Sequence, residues 1–172
     1  ESKEVIYAYG MELLISDVLN TIIVLLIALF SHTLPAVVVF IAVFMGLRQF
    51  VGGFHANSHL SCMFTLVMVM MVFCNVSGHI TPIFSISFIM IALPIILCIA
   101  PVPHPNKPMS EEKSVKLRKR SCILAVTLSV VTIALLVFQY QKLSLYVSSG
   151  MLLSAIMALL GRFLNRGDNS KR

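Results

Sequence analysis

The side chains best suited to covalent chemistry stand in one polar stretch of the sequence, residues 48–62. This stretch contains His55 and His59 and ends at Cys62. A histidine can take the proton of a cysteine thiol, and the resulting thiolate can attack a carbonyl carbon. The stretch is therefore either a catalytic segment or, alternatively, a pair of interfacial histidines beside a cysteine that only packs.

The spacing constrains which histidine could serve the thiol. His59 and Cys62 are three residues apart and could meet on a continuous helix. His55 and Cys62 are seven residues apart, about 10 Å along a helix axis, so they could meet only if the chain folds back. Gly52-Gly53 weakens a helix and permits a sharp turn. The two glycines therefore predict a helix break just before the histidines.

The composition shows what kind of protein must hold this stretch. Hydrophobic residues make up 58% of the 172-residue chain and charged residues only 12%, against about 25% charged residues in soluble domains. A soluble enzyme, a disordered regulator and a secreted disulfide scaffold are all excluded. The stretches without Asp, Glu, Lys or Arg are long enough for membrane-spanning helices, and they are residues 18–47, 49–106, 121–141 and 143–161.

We therefore predict an all-α integral membrane protein, with residues 1–172 forming a single polytopic membrane domain. Ser31 to Pro35 interrupts the first apolar stretch, so residues 11–50 form either two short spans or one tilted helix. The two-span interpretation gives about six transmembrane helices, at residues 11–30, 34–50, 62–78, 80–100, 121–141 and 143–161. Both termini and twelve of the 13 Lys and Arg residues then share one side, which the positive-inside rule makes cytoplasmic. The catalytic segment 48–62 and a basic loop at 101–120 lie on that side.

Other possible centres are weaker. The four cysteines include no C-x-x-C pair and no metal-ligand spacing, so we predict no metal site. No carboxylate stands between Asp17 and Glu111. A third catalytic group would therefore be a local amide or hydroxyl, or Glu12 or Asp17 brought in from the same membrane face.

Two separate parts of the sequence resemble the AgrB family. The first is Gly52-Gly53-Phe54-His55-Ala56 followed by Cys62. The second is Ala100-Pro101, then Pro105-Asn106-Lys107-Pro108, then a basic run that ends at Arg120. The likeness extends over about residues 9–166. AgrB proteins are membrane-embedded cysteine endopeptidases of peptide quorum sensing in Gram-positive bacteria, and members usually have a longer N-terminal segment than this sequence shows.

The resemblance implies that His55 and Cys62 form the catalytic pair, rather than His59 and Cys62. It implies an AgrD-like propeptide as substrate, whose acidic C-terminal tail is released through a Cys62 acyl-enzyme. An internal Cys or Ser of the propeptide then closes a cyclic (thio)lactone autoinducing peptide. It further implies a multi-pass protein of the cell membrane of a Gram-positive bacterium, with the active site toward the cytoplasm, a homodimeric assembly and no cofactor.

Two further sets of residues complete the predicted site. Residues that could support the catalytic pair are Arg48, Gly52, Gly53, Asn57, Ser58 and His59. Residues that could bind the substrate tail are Lys107, Lys113, Lys116, Arg118, Lys119 and Arg120. Arg48 could equally be a cytoplasmic anchor, and the basic run could serve topology and anionic lipid.

Two other functions compete with the peptidase. A small membrane transporter or channel for a peptide or a metal is one alternative, although the predicted spans contain almost no ionisable residues of the kind that line transport paths. A membrane assembly subunit without chemistry is another, and it leaves the arrangement of glycines, histidine and cysteine unexplained. Nothing in the sequence indicates a nucleic-acid partner.

Overall fold

The computed structural model describes residues 11, 15, 18–19, 21–52, 68–69, 72–73, 81, 83–102 and 111–169, the last six by their backbone alone. The chain divides into two compact units. The first comprises Glu1–Val38 and His55–His79, and the second comprises Val39–Phe54 and Ile80–Arg172. The described part of the chain is helical, apart from turns and one isolated β-bridge.

The first unit contains helix α1 (Thr21–Phe30) and the beginning of helix α2 (Leu34–Val51). The predicted interruption lies between them, where the Thr33 N–H donates to the Ala28 carbonyl at 3.0 Å and His32 has a φ of 54°. Pro35 stands in the first turn of α2, where a proline costs no intrahelical hydrogen bond. Two helices, rather than one tilted helix, therefore occupy this region, and the prediction that they are two membrane spans stays a prediction.

The second unit contains the rest of α2 and three further helices: α3 (Phe84–Ile99), α4 (Glu111–Val137) and α5 (Gln141–Asn169). Helix α4 has Glu111 and Glu112 in its first turn, where negative charge is favoured by the helix dipole. Helices α4 and α5 are joined by residues 138–140, a turn in which Gln139 has a φ of 65°. So short a connection makes α4 and α5 antiparallel neighbours.

The contacts of the second unit fix the direction of its helices. Gly150 of α5 lies against Phe40 of α2, and four residues later the Ser154 hydroxyl lies 3.5 Å from the Phe44 carbonyl oxygen. The hydroxyls of Ser85 and Ser144, near the starts of α3 and α5, are 3.2 Å apart. Helices α2, α3 and α5 therefore run in one direction and α4 runs in the other.

A cluster of buried side chains from all four helices forms the core of the second unit. Its members are Leu47, Val51, Ala92, Ile96, Ala100, Val102, Ala125, Met151, Ala155 and Ala158. Many are small, which lets helix backbones approach each other as in other membrane bundles. Several buried hydroxyls donate to carbonyls of their own helices, as Ser129 does to Ala125 at 2.8 Å and Thr132 does to Leu128 at 2.7 Å.

Three helices in the described part of the chain are long and apolar enough to cross a membrane: Leu34–Val51, Glu111–Val137 and Gln141–Phe163. Helices α1 and α3 are apolar but shorter. The predicted span at residues 62–78 lies almost entirely outside the described residues. The count of six spans and the location of the termini therefore stay predictions.

Several helix boundaries differ from the predicted spans. Helix α4 begins at Glu111, ten residues before the span predicted from residue 121, so the second half of the basic 101–120 segment is helical rather than a loop. Helix α5 likewise continues beyond residue 161 to Asn169. Charged residues limit the apolar part of a span, but they favour helix and do not end it.

Candidate functional site

The end of α2 and the end of α3 lie next to each other. At the first, Gly52 follows Val51, and its N–H donates to the Arg48 carbonyl at 3.0 Å. At the second, Val102 follows Ala100 and Pro101, and its N–H donates to the Val51 carbonyl at 2.9 Å. The result is a parallel β-bridge between Gly52 and Val102, which we call the junction.

The junction is closely packed. The side chain of Val51 is fully buried and that of Val102 is 6% exposed. Gly52 has a φ of +73°, a left-handed conformation that glycine adopts without a steric penalty. A Cβ atom at this position would lie 2.7 Å from the Val102 carbonyl oxygen. The backbone at Gly52 is therefore fixed both by its conformation and by its neighbour.

Gly53, His55, Asn57, Ser58, His59, Cys62 and Lys107 lie outside the described residues. The pairing of His55 with Cys62 therefore stays a prediction. The structure does describe Gly52, and His55 comes three residues after Gly52 in the sequence.

Arg48 lies in the last turn of α2, four residues before Gly52. Its guanidinium carbon is 5.6 Å from the centre of the Phe44 ring, within the range of a cation–π contact. A cation at a helix C-terminus is also favoured by the helix dipole. The side chain is half-buried. Arg48, the first residue of the predicted catalytic segment, therefore packs on Phe44 and places a positive charge at the end of α2.

Five of the six predicted tail-binding residues lie in the first three turns of α4. Lys113, Lys116, Arg118, Lys119 and Arg120 are all exposed. Lys116 forms an ion pair with Glu112 at 2.6 Å, and both side chains remain largely exposed. Five bases and two acids give this end of α4 a positive surface that can attract an anionic partner.

The sequence prediction missed Val102 as a partner of the glycine segment. The Ala100-Pro101 motif was identified, but nothing in the sequence gave its distance from Gly52. The sequence showed only that the two motifs lie near opposite ends of one charge-free stretch, residues 49–106. Among the residues that the structure describes, no group of three or more His, Cys, Asp or Glu side chains could hold a metal ion.

Comparison with known proteins now identifies the family. The profile of Accessory gene regulator B matches residues 1–158, most of the chain. The chain belongs to the AgrB family. The resemblance inferred from the glycine–histidine–cysteine and Ala-Pro motifs is thereby confirmed, and the three long apolar helices agree with a helical membrane protein.

An AgrB-like protein of Clostridium beijerinckii is 25% identical to this chain over 112 residues. The match covers 63% of this chain and 56% of that protein, so it spans little more than half of the relative's length. No solved structure matches the chain. Membership of the AgrB family thus rests on sequence, and the geometry of the junction is what the structure adds to it.

Proposed function

We propose that this AgrB-family chain is a membrane-embedded cysteine endopeptidase that removes the C-terminal tail of an AgrD-like propeptide. The observation that supports it is the junction, because the two segments with complementary predicted tasks follow directly in the sequence from its two residues. Gly52 leads within ten residues to His55 and Cys62, and Val102 leads to Lys107 and the basic start of α4. A nucleophilic pair beside a basic surface suits a substrate with an acidic tail.

The proposed reaction begins with proton transfer from the Cys62 thiol to the His55 imidazole. The thiolate attacks the carbonyl carbon of the peptide bond between the signal sequence and the tail. As the C–N bond breaks, the imidazolium returns its proton to the leaving amine. The tail departs with a free amino group, and the signal sequence remains on Cys62 as a thioester.

The thioester can then be resolved within the propeptide. An internal thiol or hydroxyl of the signal sequence attacks the thioester carbonyl, and the thiol of Cys62 is restored as the ring closes. The acyl group passes from one sulfur to another sulfur or to oxygen, so no ATP and no cofactor is needed. Exclusion of water would protect the thioester against hydrolysis until the ring has formed.

The basic end of the bundle would face the cytoplasm of a Gram-positive cell, according to the positive-inside rule. Arg48 would anchor α2 at that interface, and Asn57, Ser58 or His59 would support the catalytic pair. A homodimer is the assembly that the family suggests. A transport path is less well supported, since α1 and α3 contain no Asp, Glu, Lys or Arg.

The test is tail release from a propeptide reconstituted in vesicles with the full chain. We expect loss of tail release in Cys62→Ser and in His55→Ala, whereas His59→Ala should still release the tail, because His59 would at most support the pair and not act as its base. Cys98→Ser and Cys122→Ser are the matched cysteine controls, because these free thiols belong to α3 and α4 and not to the predicted segment 48–62. Tail release by Cys62→Ser would overturn the proposal, and loss in His59→Ala with retention in His55→Ala would reassign the base.

A further inference from the structure

The junction has a feature that the end of a helix does not require. Helix α2 could end at Gly52 simply because a glycine in the left-handed conformation is a common C-terminal cap. A cap of that kind needs space only within its own helix. Here the chain that follows α3 is also hydrogen bonded to the end of α2, through the Val102 N–H and the Val51 carbonyl.

The three described glycines for which neighbours can be compared differ in what surrounds them. A Cβ atom on Gly46, also in α2, would meet nothing within 4 Å. A Cβ atom on Gly150 would lie 2.9 Å from the Phe40 carbonyl oxygen and 3.1 Å from the Val43 side chain, which is helix packing. A Cβ atom on Gly52 would lie 2.7 Å from the Val102 carbonyl oxygen, a backbone atom of the residues that follow α3.

We propose that Gly52 and Val102 are positioning residues of the peptidase: their backbone contact sets where the segment carrying His55 and Cys62 begins. This inference rests on the proposed function. Three residues of chain span at most about 11 Å, so fixing the Gly52 backbone restricts the space that His55 can reach. Moving the reacting groups by about 1 Å can cost a hundredfold in rate.

The same contact connects the segment proposed to cleave the substrate with the segment proposed to bind its tail. Val102 precedes the segment with Lys107 and the basic turns of α4, so one hydrogen bond holds the start of both segments. A disturbed junction should therefore slow the chemical step even when the substrate still binds. If the junction were only a structural cap, disturbing it would lower stability and leave the rate constant of the folded protein unchanged.

The test compares Gly52→Ala with two matched glycine variants of the full chain in vesicles, Gly46→Ala and Gly150→Ala. Tail-release kinetics give kcat and KM, and thermal unfolding gives stability. For Gly52→Ala we expect kcat to fall about tenfold or more with KM within about twofold of wild type. Gly46→Ala should match wild type, and Gly150→Ala should lose stability while keeping its kcat.

A second readout does not require substrate. The rate at which iodoacetamide alkylates Cys62, measured by peptide mass spectrometry, reports how well the histidine activates the thiol. Gly52→Ala should lower this rate, whereas Gly150→Ala should not. Val102→Pro removes the N–H that donates to Val51 and adds no atom at residue 52, so it should reproduce the loss of kcat.

Wild-type kcat in folded Gly52→Ala or folded Val102→Pro would overturn the positioning role. An equal loss of kcat in Gly150→Ala would also overturn it, since the effect would then follow general packing. Loss of both junction variants from the membrane, with Gly150→Ala recovered, would make the junction a folding requirement only. In each case tail release by wild type and its loss in Cys62→Ser would leave the proposed function standing, whereas an inactive wild type would remove both.

Discussion

The two ends of the second unit are built differently. At one end α3 and α5 begin and α4 ends: the Ser85 and Ser144 hydroxyls are 3.2 Å apart, and residues 138–140 join α4 to α5 in a short turn. At the other end α2 and α3 end and α4 begins. There a backbone bridge between Gly52 and Val102, rather than a side-chain pair, connects the end of α2 to the residues that follow α3.

Charge separates the same two ends. Lys142 is the only Lys or Arg in the described residues of the hydroxyl end. The junction end has Arg48, the basic turns of α4 and Arg162 of α5. The contacts at the hydroxyl end join neighbouring helices, and we expect them to contribute to stability only. The other end combines a fixed backbone with a positive surface, which is what a site for an acidic peptide needs.

The largest difference between the two ends should be their accessibility to a reagent added outside the cell. Single cysteines at Phe138 and at Lys113, both exposed, mark the two ends in a protein whose native cysteines are replaced by serine. We expect a membrane-impermeant maleimide added to intact cells to label Phe138→Cys and not Lys113→Cys. Permeabilised cells, in which both should react, provide the control. Labelling of Lys113→Cys in intact cells would place the basic end outside.

Removing charge from the junction end should weaken substrate binding. For Lys113→Gln, Lys116→Gln and Lys119→Gln combined, we expect KM for an acidic-tail propeptide to rise about tenfold at low salt. The kcat should change little, because in the proposed function these bases attract the tail and take no part in bond cleavage. Lys142→Gln, at the opposite end, is the matched control. An equal rise for a propeptide with a neutralised tail would contradict electrostatic tail binding.

Removing a hydroxyl from the other end should affect stability only. Ser144 donates to the Gln141 carbonyl at 2.7 Å, so its single proton is used there and Ser85 donates to Ser144. Ser144→Ala leaves the fully buried Ser85 hydroxyl without this acceptor and should cost about 1–2 kcal/mol of unfolding free energy. Ser85→Ala should cost less, and denaturation in detergent measures both. A change in kcat below the unfolding temperature would show that this end also serves the reaction.

The smallest effect should come from the surface ion pair of α4. Glu112 and Lys116 are an i, i+4 pair with 80% and 68% of their side chains exposed. Exposed pairs of this kind contribute about 0.5 kcal/mol or less because water and salt screen them. Glu112→Gln should therefore change the unfolding free energy by no more than that. A larger loss would mean that the acid supports the start of α4 in another way.

The sequence predicted the helical membrane class and the interruption between α1 and α2, because charge-free stretches and Pro35 carry that information locally. It also identified both motifs that meet at the junction. It did not predict that they touch, because Val51 and Val102 are 51 residues apart and hydrogen bond through backbone atoms that no side-chain pattern reports. The start of α4 at Glu111 was visible in the sequence, since Ser110 followed by Glu111 and Glu112 is typical of a helix N-terminus, although the apolar stretch begins only at residue 121.

The most direct test of the peptidase account is to trap the acyl-enzyme. A propeptide whose internal nucleophile is replaced by alanine cannot close a ring, so the thioester should accumulate on wild-type protein. We expect intact mass spectrometry to show the chain plus the tail-less propeptide, with the adduct on Cys62 and released by hydroxylamine, and no adduct in Cys62→Ala. Tail release by Cys62→Ala, or an adduct on another residue, would contradict the account.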